Sequence, residues 1–113
     1  MTLLARLIAH YEGYDIHGSL PNRNHNPGDL RHSPHSQHGS DPNGIGQIDT
    51  PEEGWADLER QLELYAQRNM TVRAAIYAFA PPSENDTEKY LNYVCKELGL
   101  PDDAPVSEAL KVA

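Results

Sequence analysis

The pair Glu12-Gly13 is the first place in this sequence where side-chain chemistry is expected. Glu12 closes a short apolar-periodic segment, and its neighbours Ile8 and Tyr11 are apolar. A carboxyl at such a boundary is partly desolvated, which disfavours its charged form and raises its pKa. An acid that keeps its proton near neutral pH can protonate the oxygen leaving a glycosidic bond. A plain surface glutamate at a helix end would occupy the same position.

Three further segments carry groups that can recognise a polar ligand. Arg23-Asn24-His25-Asn26-Pro27-Gly28-Asp29-Leu30-Arg31 gathers hydrogen-bonding side chains around a forced turn, and Asn26 and Asp29 are its candidate substrate contacts. The same residues also make a self-satisfied, Asx-rich turn that only shapes the loop. In Gly44-Ile45-Gly46-Gln47-Ile48, two glycines allow a ligand to approach the backbone. Ile45 and Ile48 anchor that segment, leaving Gln47 to face the ligand. The segment from Tyr77 to Thr87 joins two helical stretches, and Tyr77 and Asn85 are its candidate contacts. Its bland reading is a helix stop followed by a helix cap.

Five of the six histidines, His17, His25, His32, His35 and His38, fall in residues 17–38. The last three are spaced by three, but the Ser, Pro and Gly around them do not make a helix that would align them. No HExxH motif and no nearby cysteine supports a zinc site. No metal and no cofactor are therefore expected. Cys95 is the sole cysteine, which excludes an intrachain disulfide, and its place beside Val94 and Leu98 predicts a small buried hydrophobe.

The elements that must position these groups are mainly helical. Leu4, Leu7, Ile8 and Tyr11 share one face of a helix over 2–12, which Thr2 would cap. Residues 13–50 are rich in Gly, Pro, Asn, Ser, Asp and His, and read as a long loop with a short β-ribbon between Leu30 and Ile48. A loop of that length in a compact domain is usually functional. Thr50-Pro51-Glu52-Glu53 opens a helix to about Arg68, with Thr50 as N-cap, Pro51 at N1 and Glu53 completing a capping box. Its inner face is Trp55, Leu58, Leu62 and Tyr65. Thr71 caps a helix through Ala80 that buries Val72, Ala75, Ile76 and Phe79, and Pro81-Pro82 stops it. Another helix runs from about Asp86 to Leu98, buries Tyr90, Leu91, Val94 and Leu98, and ends at Gly99. Ser107 caps a short last helix.

A length of 113 residues suggests one domain, 1–113, with a modest core. Nine Lys and Arg against seventeen Asp and Glu leave a formal charge of -8, which argues against nucleic acid as a partner. No apolar run is long enough for membrane insertion or for a signal h-region, since Arg6 interrupts the first one. Synthesis in the cytoplasm is expected, and a target outside the inner membrane would require something else to carry the protein there.

The motifs together resemble a family of short lysozyme-like or lytic-transglycosylase-like proteins of phages and prophages, some of them endolysins and others virion structural proteins. The similar pattern begins with Ile8-Ala9-His10-Tyr11-Glu12-Gly13-Tyr14 and continues through Gly18-Ser19-Leu20-Pro21-Asn22-Arg23-Asn24-His25-Asn26-Pro27-Gly28-Asp29-Leu30-Arg31. Gly44-Ile45-Gly46-Gln47-Ile48, Glu53-Gly54-Trp55 and Ala80-Pro81-Pro82-Ser83-Glu84-Asn85-Asp86-Thr87 with Tyr90 complete it, so it covers about residues 3–100. One departure is Asp29, where the family's pattern has Asn.

The resemblance implies an α+β, mainly α, lysozyme-like fold with a long loop or short β-ribbon after the first helix. It implies Glu12 as general acid, Gln47 as a residue that reaches the substrate, and the glycan strands of bacterial peptidoglycan as the partner of a monomer. Cleavage would fall at the MurNAc-GlcNAc β-1,4 bond. A muramidase needs a second carboxylate, for which Asp29, Asp41 and Asp49 are candidates. A lytic transglycosylase needs only Glu12, acting as acid and then as base. No single aspartate stands out, which favours the one-glutamate chemistry. A non-catalytic glycan-binding or virion structural module is a third reading, since fold does not fix function.

If the histidines are solvated loop residues, EDTA should leave the melting temperature unchanged, as differential scanning fluorimetry with and without chelator will show. A large drop restored by zinc would establish a metal site instead.

Overall fold

The computed structural model describes residues 1–36 and 41–113. Among them are six helices: α1 (Leu3–Tyr11), α2 (Leu20–Arg23), α3 (Pro51–Gln67), α4 (Val72–Phe79), α5 (Thr87–Leu98) and α6 (Val106–Ala109). The mainly helical class expected from the sequence stands. The chain divides into two compact units, one built on Ala5–Gln61 with Met1 and the other on Leu62–Ala113 with Thr2–Leu4.

In the first unit, α1 buries Leu7 and Ile8, while Tyr11 remains half-buried. The helix ends on Gly13, whose φ is +84°. The Gly13 N–H donates to the His10 carbonyl at 3.1 Å and the Tyr14 N–H to the Ala9 carbonyl at 2.9 Å. This paired closure on a left-handed glycine satisfies two carbonyls that a helix end leaves open.

The polar stretch that follows contains a helical turn the sequence reading missed. Ser19 caps α2, accepting a hydrogen bond from the Asn22 N–H, and Pro21 sits in the first turn, where a missing N–H is harmless. The ribbon expected between Leu30 and Ile48 falls partly on residues 37–40, which lie outside the described residues. Among the described residues of 30–48, no strand longer than one residue forms, and Gly46 alone takes a bridge position. Side-chain amides and carboxylates there satisfy part of the loop's backbone.

Helix α3 opens as its sequence dictates. Thr50 Oγ1 accepts from the Glu53 N–H at 3.2 Å and donates to the Glu53 carboxylate at 3.0 Å. Leu58, Leu62 and Tyr65 are buried, whereas Trp55 is half-buried. The Trp55 ring meets Tyr14 edge-on, with centroids 5.4 Å apart and planes at 79°. Gly54 is the most closely approached of the described glycines. A Cβ there would lie 1.9 Å from the His25 carbonyl oxygen and 2.9 Å from Pro27 Cδ.

In the second unit the start of α4 is tied to the segment between α5 and α6. The first three N–H groups of α4 are all satisfied: Val72 donates to the Ala104 carbonyl at 2.8 Å, Arg73 to the Asp102 carbonyl at 2.9 Å, and Ala74 to Thr71 Oγ1 at 3.1 Å. Thr71 and Pro105 form an isolated β-bridge. Val72, Ala75 and Ile76 are buried, and Phe79 is half-buried rather than fully inward. Asp86 caps α5 through the Lys89 N–H, and Gly99, at φ +70°, closes it. Tyr90, Leu91, Val94 and Leu98 form its buried face, while Cys95 is half-buried, not enclosed as expected. Helix α6 has Pro105 at its N-cap and no side-chain cap, so the role expected of Ser107 is corrected.

Gly54→Ala should cost about 3 kcal/mol, because a rigid backbone carbonyl must move. Thr50→Ala, which removes one exposed cap, should cost about 1 kcal/mol. Urea unfolding of the two variants should rank them in that order.

Candidate functional site

The first unit holds four of the six residues predicted to act on substrate: Glu12, Asn26, Asp29 and Gln47. Glu12 is half-buried and sits between the last residue of α1 and Gly13. Its N–H donates to the Ile8 carbonyl at 2.9 Å, so the backbone that carries the carboxyl is fixed from both sides.

Asn26 has a different place from the one expected. It is 0% exposed, and its amide is spent on the loop itself. Nδ2 donates to the Leu30 carbonyl at 2.8 Å and to the Gly46 carbonyl at 2.9 Å, while Oδ1 accepts from the Leu30 N–H at 3.0 Å. A substrate contact through this amide is corrected: the residue cross-links the two halves of the loop. Gly46 fits the same frame. Its N–H donates to the Leu30 carbonyl at 2.9 Å, and a Cβ would stand 2.7 Å from Ser36 Cβ. The neighbouring chain, not a ligand, is what approaches this glycine. Ile45 and Ile48 are buried and Gln47 is exposed, so anchoring by the two isoleucines holds.

The aspartates proposed as second carboxylates have distinct environments. Asp41 is buried, and both of its oxygens accept hydrogen bonds. Oδ2 accepts from Asn24 Nδ2 at 2.9 Å, and Oδ1 from the Asn43 and Ile45 N–H groups at 2.8 and 3.0 Å. The Asn24 bond, with the backbone donors behind it, holds its pKa below the ordinary carboxylate value. Asp29 follows a turn closed by its own N–H on the Asn26 carbonyl and has φ +51°, a region that Asn and Asp tolerate better than most residues. Its Oδ1 is buried with no hydrogen-bond partner. Burial, reinforced by the Asp41 charge and opposed by Arg31, raises its pKa. Asp49 is exposed.

Tyr77 and Asn85 belong to the second unit. The Tyr77 hydroxyl donates to the Glu88 carboxylate, and the Arg73 guanidinium lies 5.6 Å from the Tyr77 ring centroid. Arg73 also pairs with Glu88 at 2.8 Å and with Asp102 at 2.6 Å. Asn85 Nδ2 reaches the Pro81 carbonyl at 3.4 Å.

One pairing escaped the sequence reading. Asp57, 2% exposed, accepts from the His35 N–H at 2.9 Å through Oδ2 and from His35 Nδ1 at 2.5 Å through Oδ1. Among the described residues, no three His, Cys, Asp or Glu side chains converge as a metal site would require. His38, one of the three evenly spaced histidines, lies outside the described residues. No described helix is long and apolar enough to cross a membrane.

Comparison with family models, with curated proteins and with solved structures returns no match for this chain.

Asp29→Asn should stabilise the protein at neutral pH. The raised Asp29 pKa means that its favourable contribution is present below the unfolded value and lost as pH rises through the folded one. An amide keeps the left-handed backbone and has no charge to desolvate. The gain should be about 1 kcal/mol or less, since the carboxyl is partly exposed. Urea unfolding at pH 7 should show it, and at pH 3 it should vanish.

Proposed function

We propose that the chain cleaves the glycan strands of bacterial peptidoglycan at the MurNAc-GlcNAc β-1,4 bond, with Glu12 as the sole catalytic carboxyl group. The observation that carries this reading is the position of Glu12, a half-buried carboxyl residue fixed between the end of α1 and the left-handed Gly13. Fixed placement matters because a general acid works only within hydrogen-bond reach of the oxygen it protonates.

In this reading Glu12 first donates its proton to the glycosidic oxygen, and the bond to the anomeric carbon breaks with oxocarbenium character. The resulting carboxylate then removes the proton of the muramic 6-hydroxyl, whose oxygen attacks the same anomeric carbon. The product is a 1,6-anhydro ring, formed without water, and Glu12 regains its proton.

The environments of the aspartates support a single-carboxyl scheme. Activating water requires an ionised oxygen free to accept, and the oxygens of Asp41 already accept three hydrogen bonds. Asp29 is shifted toward its neutral form by burial. Gln47, exposed between two buried isoleucines, offers a side-chain amide that can bind a sugar hydroxyl or acetamido group.

Glu12→Gln keeps the side-chain shape and removes the proton, so clearing of purified cell walls should fall by about 10²-fold or more. A folded variant with undiminished activity would refute the assignment. Mass spectrometry of the digest should show muramic ends lighter by one water than reducing ends. Reducing ends throughout would instead mark a hydrolase.

A further inference from the structure

The contact between His35 and Asp57 joins two segments 22 residues apart, the middle of the polar loop and the second turn of α3. Both oxygens of one buried carboxylate are used on one residue, the first on its ring and the second on its N–H. The Asp57 side chain is 1% exposed, whereas that of His35 is 36% exposed. The anion is therefore shielded from water, but the group that balances it remains open to solvent protons.

The backbone around His35 is built to present it. Ser36 Oγ accepts from the Ser33 N–H at 3.1 Å and donates to the Ser33 carbonyl at 2.8 Å, while the Ser36 N–H donates to the same carbonyl at 3.1 Å. Among the described residues, the charged groups that face the imidazole are both on α3: Asp57 on Nδ1, and Glu53, whose carboxylate is 3.7 Å from Nε2. No cation among the described residues pairs with Asp57 apart from the imidazole.

We propose that His35 and Asp57 form a pH-sensitive clasp that holds residues 33–36 of the polar loop against α3 when the imidazole is protonated and loosens when it loses its proton. With the cation present, the buried carboxylate has a charge partner and Nε2–H faces Glu53. With neutral imidazole, the buried charge of Asp57 keeps only neutral donors, and the Nε2 lone pair faces a carboxylate. An uncompensated buried charge is costly, so the closed arrangement weakens.

The direction of titration agrees with the geometry. The hydrogen bond to Asp57 raises the His35 pKa above the ordinary imidazole value, against a smaller opposing effect of desolvation. A raised folded-state pKa gives stability that is fully present below the unfolded value and is lost as pH rises through the folded one. Glu53 is also the N3 residue of the α3 cap, so the same pH step acts on the first turn of that helix. The clasp is a property of the fold and does not depend on what the loop binds.

Two measurements on the intact protein test this. A proton NMR titration should give His35 a midpoint above that of the same residue in the urea-unfolded chain. Amide exchange of His35, corrected for intrinsic rates, should lose protection over the same pH range, by as many tenfold steps as the folded midpoint exceeds the unfolded one. His35→Asn, which retains a neutral donor near the Nδ1 position, should show the weaker protection at every pH and no step. Unshifted titration of His35, or protection independent of pH in the wild-type protein, would overturn the proposal. So would a pH step of equal size in His35→Asn.

Discussion

A buried primary amide carries much of the organisation of the first unit. Asn26 has no exposed surface and meets three backbone groups, two on Leu30 and one on Gly46. The segment around it contains few apolar residues and cannot close by burying hydrocarbon. Its backbone groups must still be paired once they leave water, and a side-chain amide can pair donors and acceptors at once. Asn24 and Asp41 repeat the device nearby, with the carboxylate accepting one side-chain and two backbone donors. Once these links form, the close approach of the His25 carbonyl to α3 leaves no room for a side chain at position 54.

The second unit is organised by other means. Its helices bury regular apolar faces, and the N–H groups at the start of α4 are taken up by Thr71 and by the carbonyls of Asp102 and Ala104. Such an arrangement needs only local caps and a hydrophobic stripe. The contrast explains what was legible in the chain. Thr50, Thr71, Asp86 and Gly99 declare their roles within three or four residues of themselves, and the helices they bound were placed to within a residue or two. The Gly46 partner of Asn26 and the Asp57 partner of His35 lie 20 and 22 residues away, and no local pattern announces them. Two signals were present all the same. A glycine inside a helical stretch, Gly54, indicates close backbone approach. Asp57 lies one turn from Gly54 and next to Leu58, on the inner face, where a carboxylate needs a partner. The α2 turn was also marked locally, by Ser19 and Pro21, but was hidden within a composition that reads as loop.

The candidate site shows how one kind of side chain takes several roles. Glu12 rests at a helix terminus, Asp41 is an acceptor hub held below the usual carboxylate range, and Asp29 is pushed upward by burial with one oxygen unpartnered. Burial and hydrogen bonding thus push two carboxyl groups of one loop in opposite directions. The placement of Glu12 was legible because Glu-Gly at the end of a periodic segment is a local signal. The engagement of Asp41 and the burial of Asn26 were not, because each depends on a loop closure that composition does not specify.

The span of the loop's hydrogen bonds has a kinetic consequence. Contacts across 17 to 22 residues form only after a chain closure whose entropy is paid first, whereas helix caps and neighbouring turns form within short segments. The described residues of 24–36 and 41–48 are therefore expected to order after the helices, on the native side of the folding barrier. Weakening Asn26 or Asp41 would then leave the refolding rate nearly unchanged and accelerate unfolding. The lifetime of the folded state, more than the speed of reaching it, would rest on a handful of buried amides and carboxylates in the least hydrophobic part of the chain.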